Sequence, residues 1–70
     1  MSMDEKLEFI EKILHEPKFS LQEATELNSL NGWESLNIVN LEMELIAKGV
    51  SIDEAQLKSC KTVGEICRLF

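Results

Sequence analysis

Residues 31–49 read NGWESLNIVNLEMELIAKG, and the spacing of their apolar side chains decides the fold class. Asn31-Gly32 marks a tight turn, and Gly49 marks a helix end. Between them the apolar residues recur at helical rather than alternating spacing, which predicts a helix over residues 35–48. On a helical wheel they fall into two stripes. Leu36, Val39, Met43 and Ile46 form one; Ile38, Leu41 and Leu45 form the other. Asn37, Asn40, Glu44 and Lys48 separate them on one side. A small domain needs one such stripe for its core, so the second is either covered by a neighbour in the fold or offered to a partner.

Working outward, the same period continues on both sides. Ser2 and Glu5 have the spacing of a capping box, and Leu7, Ile10 and Leu14, flanked by Phe9 and Ile13, share a face. A first helix is expected over residues 3–16, stopped by Pro17. Ser51 with Glu54 and Thr62 with Glu65 repeat the box spacing, predicting short helices over 53–59 and 63–69. Val63, Ile66, Cys67 and Phe70 give the last helix an apolar face. Residues 17–34 fit no long helix, although Ser20 with Glu23 allows a short turn. Their spaced Phe19, Leu21, Ala24, Leu27, Leu30 and Trp33 suggest a loop pinned across the core. The expectation is an all-α single domain over residues 1–70: a small four-helix bundle with a long loop between the first two helices and a short third helix.

The chain has 70 residues, 44% of them hydrophobic and 29% charged, which allows one modest core. Seven Lys and Arg stand against 13 Asp and Glu, a net charge of −6. Such a domain repels phosphate backbones and anionic lipid, so nucleic acid and membrane insertion are expected to play no part, and basic partners are favoured. No secretory leader or membrane-length apolar run is visible, and Cys60 and Cys67 do not form a C-x-x-C pair. Reduced thiols and a cytoplasmic location are therefore expected.

Catalytic constellations are missing. His15 is the single histidine and reads as a helix C-terminal residue with no nucleophile assigned to it. One His and two Cys make no zinc set, and the acidic pairs lack a calcium-loop pattern, so no metal is expected. Ser35 stands apart. It opens a helix, yet has Ile38 rather than Glu three residues on, so no capping box explains it. Its plain reading is an N-cap serine. A helix N-terminus also suits a phosphate carried on that hydroxyl.

The run Leu27-Asn28-Ser29-Leu30-Asn31-Gly32-Trp33-Glu34-Ser35-Leu36 resembles the acyl carrier protein pattern L-x-x-L-x-x-W-D-S-L. Downstream, Lys61-Thr62-Val63-Gly64-Glu65-Ile66 resembles that family's K-T-V-G-D/E-L/I. The similar spacing of the two extends the resemblance over nearly the whole chain. It implies an acyl-carrier-like bundle with a 4′-phosphopantetheine arm on Ser35, attached by a phosphopantetheinyl transferase and holding acyl groups as thioesters. The domain itself would be no enzyme. Acyl-transfer or synthase enzymes with basic and apolar docking patches would be its partners, and it would act as a monomer in fatty-acid, polyketide or other specialised biosynthesis. The resemblance assigns transferase and partner recognition to Glu34, Leu36, Val39, Met43 and Glu44, and the lining of an acyl cavity to Leu45, Ile52 and Ala55. Glu34 replaces the usual Asp, Asn37 and Asn40 stand where acidic residues are common, and Glu42 where an apolar one often borders the cavity. These departures favour a specialised carrier over the housekeeping fatty-acid one. The alternative is an unmodified carrier-like module that binds or regulates an enzyme through its second helix.

Overall fold

A computed structural model describes all of residues 1–70. Four α-helices appear in chain order: α1 (Met3–Leu14), α2 (Ser35–Ala47), α3 (Glu54–Ser59) and α4 (Val63–Cys67), with a 3-10 turn over Leu27–Ser29. There are no strands; the one isolated bridge pairs Glu26 with Thr62. The domain is thus mostly helical. α1 packs on α2 and α4, and α2 packs on α3.

Local chemistry sets the helix ends. Ser2 Oγ accepts from the N–H of Glu5 (3.3 Å) while Glu5 Oε1 accepts from the N–H of Ser2 (2.9 Å). This reciprocal box satisfies two amides that the first turn leaves without partners. α1 stops at Leu14, two residues short of the expected end. His15 turns left-handed at φ 59°, and the N–H of Glu16 reaches back to the carbonyl of Glu11 (2.9 Å). That closure satisfies carbonyls the last turn would otherwise leave bare. Gly49, at φ 90°, ends α2 in the same way, with the N–H of Val50 on the carbonyl of Leu45 (3.0 Å).

The caps of α2 and α3 differ from the expected ones. α3 is opened by Asp53 and Gln56, each bonded to the other's backbone N–H (2.8 and 3.0 Å), and not by Ser51 and Glu54. An ionised carboxylate directly before the helix outcompetes a hydroxyl two residues upstream. Thr62 and Glu65 do form their box at the start of α4. Ser20 opens no helix; its Oγ donates to the carbonyl of Pro17 (2.6 Å).

The core is drawn from every element. α2 turns Ile38, Leu41 and Leu45 inward, and α1 adds Ile10 and Leu14. Leu57 of α3 and Val63, Ile66 and Cys67 of α4 close it. Each such side chain contributes about 1.5–3 kcal/mol by leaving water. The long loop is pinned as expected, but by fewer side chains. Leu21 and Leu27 are buried, and Leu30 and Trp33 pack partly against the core. Ala24 is exposed, and Phe19, expected inside, is 84% exposed. Backbone bonds do the remaining pinning: Leu27 N–H to the Lys61 carbonyl (2.9 Å), Val63 N–H to Thr25 (3.0 Å) and Gly64 N–H to Glu23 (2.9 Å). A Cβ at Gly64 would lie 2.9 Å from the Glu23 carbonyl oxygen, so this crossing needs glycine.

Candidate functional site: the tip of α2

The turn before α2 is built against the end of α1. A Cβ on Gly32 would sit 1.9 Å from the carbonyl oxygen of Leu14, so the two backbones can approach only with glycine there. Two side chains hold the peptide groups of Gly32. Its N–H donates to Glu16 Oε2 (3.2 Å), and its carbonyl accepts from Asn37 Nδ2 (2.8 Å). Asn37 is buried, and no buried side-chain polar atom in the protein lacks a partner. A buried amide paired in this way resists movement of the turn, because opening it leaves the donor unpaired.

Ser35 follows as the first residue of α2, and it is exposed. It is not the N-cap, contrary to the plain sequence reading. Glu34 holds that position in extended backbone, and its Oε1 accepts from the N–H of Asn37 (3.3 Å). Glu34 carries a longer carboxylate than Asp, yet it still folds back onto the helix end. The Ser35 hydroxyl makes no hydrogen bond within the protein, and the N–H groups of Ser35 and Leu36 make none either. An exposed hydroxyl therefore stands beside two free donors at the positive end of a 13-residue helix. An open hollow of about 570 Å³ adjoins this tip, lined by residues that include His15, Glu16, Asn31, Glu34 and Asn37.

The two stripes of α2 have opposite fates. Ile38, Leu41 and Leu45 are buried, whereas Leu36 and Met43 are 67% and 63% exposed. Ile46 and Glu44 are exposed as well, and Val39 is half-buried. An apolar strip thus runs along α2 from the residue after Ser35.

Of the expected acyl-cavity residues, Leu45 and Ile52 share the buried core and Ala55 lies outside it. Leu45 is fully buried in the packed core and Ile52 is buried, but Ala55 faces solvent on α3. The four principal surface hollows are lined by other residues.

Charge and burial tune a few groups elsewhere. Glu65 is held below the usual carboxylate range by the N–H groups of Lys61 and Thr62, and Glu5 by the N–H of Ser2. Burial pushes the Cys67 thiol up; burial, then the charge of Glu65, does the same to Cys60. Both are free thiols, and raised values keep them protonated and poorly nucleophilic. No group of three or more His, Cys, Asp and Glu side chains is placed to hold a metal ion. No helix is long and apolar enough to cross a membrane.

Sequence reasoning missed Glu11. This carboxylate is 4% exposed and accepts from the N–H of Phe19 (3.2 Å) and of Leu21 (3.1 Å). Its partners lie eight and ten residues away, beyond the reach of local patterns. The chain matches no protein-family model, no curated protein and no solved structure.

Proposed function

We propose that this domain is a discrete carrier protein, bearing 4′-phosphopantetheine on Ser35 and presenting acyl or related groups to partner enzymes. The observation that carries this reading is the state of Ser35: exposed at the first position of α2, with the capping role taken by Glu34. The residues present fit the group. The Ser35 hydroxyl is free to bear a phosphodiester, and the unpaired N–H groups of Ser35 and Leu36 would face its negative charge. The hollow beside the tip leaves a tether room to depart. Once attached, the group would supply a terminal thiol that holds the cargo as a thioester.

The remaining work belongs to this chain's own side chains. Glu16 and Asn37 hold Gly32 on both sides and fix the turn, so the hydroxyl is presented on a rigid helix end. Leu36, Val39 and Met43 offer an apolar docking strip beside it, with Glu34 and Glu44 supplying negative charge for a basic partner. The buried Leu45 and exposed Ala55 favour cargo carried outside the domain over cargo stored between α2 and α3.

The test is modification in vitro. The protein, coenzyme A, magnesium and a broad-specificity phosphopantetheinyl transferase should together yield the mass increase of one 4′-phosphopantetheine, abolished in Ser35→Ala. If several such transferases leave Ser35 bare on a folded protein, the carrier reading fails. The unmodified module acting through α2 then replaces it.

A further inference from the structure

Phe19 is placed at a cost that its own packing does not repay. It is 84% exposed and its backbone is left-handed, at φ 65°. Bulky side chains rarely adopt that region, and burial here offers no compensation. The conformation is imposed by Glu11, whose two carboxylate oxygens grip the N–H groups of Phe19 and Leu21. A buried carboxylate is therefore committed to holding an aromatic ring out in water.

Phe19, Leu7 and Leu21 line a groove of about 290 Å³ together with four carboxylates, Asp4, Glu5, Glu8 and Glu11. That volume sits at the small end of ligand pockets. The groove is acidic: Asp4 makes no ion pair, Glu8 pairs only with the exposed Lys12 (3.9 Å), and Glu5 caps α1 through one oxygen. Lys18 rests its ammonium 5.5 Å from the centre of the Phe19 ring, so the partner's cations are directed to the carboxylates and its aliphatic side chain to the ring. The groove lies along the first turns of α1, whereas the turn before Ser35 abuts the other end of that helix at Leu14.

We infer that this groove is a second docking surface, separate from the α2 strip, and that it receives a cationic amphipathic segment of another protein. An aliphatic side chain of the partner enters between Leu7, Leu21 and the Phe19 ring. Its neighbouring Lys or Arg side chains meet Asp4, Glu5 and Glu8. The inference does not require Ser35 to be modified, so its failure and that of the carrier reading are separable.

The experiment is titration of the isotope-labelled, unmodified full chain with a short amphipathic helical peptide bearing Leu on one face and Lys on the others. Amide signals of Asp4, Leu7, Glu8, Phe19 and Leu21 should shift saturably, and raising salt to about 0.5 M should weaken binding severalfold. The same peptide with Glu for Lys should not bind. Phe19→Gly should weaken binding at least about tenfold while leaving the melting temperature unchanged or higher, because glycine relieves the left-handed strain. Four results would overturn the inference: shifts confined to Leu36, Val39 and Met43; equal binding of the Glu peptide; a lowered melting temperature in Phe19→Gly, which would make Phe19 structural; or self-association of the chain through this groove.

Discussion

Glu11→Ala should be among the most damaging single substitutions outside the apolar core. The carboxylate is 4% exposed and takes one backbone N–H on each oxygen. A hydrogen bond to a charged acceptor contributes about 1.5–3 kcal/mol, and a donor left unpaired in a buried site keeps its full desolvation cost. The Leu21 N–H is buried, whereas the part-buried Phe19 N–H can turn to water, so losing both bonds should cost about 2–4 kcal/mol. A chain of this length has about 3.5–10 kcal/mol of stability in all, so the variant should be marginal or unfolded at room temperature. Glu11→Gln keeps one carbonyl oxygen as acceptor and should lose about half as much. Urea unfolding followed by helical circular dichroism and Trp33 fluorescence gives the free-energy differences. Hydrogen exchange at the Phe19 and Leu21 amides gives the local effect. A loss below about 1 kcal/mol for Glu11→Ala would show that Glu11 does not organise the loop. So would undiminished protection of both amides.

Two further expectations follow from the geometry. Leu36→Asp and Met43→Asp fall on exposed positions and should shift stability by no more than about 0.5 kcal/mol, whereas Leu41→Asp, at a fully buried position, should unfold the domain. Thermal melts decide this, and unfolding by Leu36→Asp would reverse the assignment of the two stripes. For pH, the folded state depresses Glu5 and Glu65. Their stabilisation is present above the unfolded value of about 4.3 and is lost as pH falls through the lower folded values. The melting temperature should decline below about pH 4.5, less steeply in Glu65→Gln. A profile as steep in that variant as in the parent would remove Glu65 from the account.

Much of the helical framework was legible because its signals are local. The helical period of residues 35–48 places α2 to within a residue, and the inward set Ile38, Leu41 and Leu45 is the buried one. The Ser2 and Thr62 boxes stand where their spacing put them. The errors arise where two local signals compete, or where the partner is distant. Asp53 sits inside the Ser51 pattern and wins as a charged acceptor; Glu34 likewise precedes Ser35 and takes its cap. Pro17 bounds α1, but the break comes earlier, at left-handed His15. Apolar character alone put Phe19 in the core, although its direction is set by Glu11, eight positions away. The Asn31-Gly32 pair marks a turn in sequence, while the closest constraint on Gly32 is the Leu14 carbonyl across the fold. At the candidate site the identity of Ser35 could be read from sequence. Its freedom could not, because that depends on which neighbour captures the Asn37 amide.

The central claim is that the Ser35 hydroxyl, uncommitted at the tip of α2, is where a prosthetic arm is joined. The most direct measurement is the intact mass of the protein purified from the cells that make it, with fragmentation of the peptide spanning residues 31–41. The account predicts a population heavier by one 4′-phosphopantetheine, with the added mass on Ser35. A homogeneous unmodified mass in cells whose transferase is active on other carriers would contradict it.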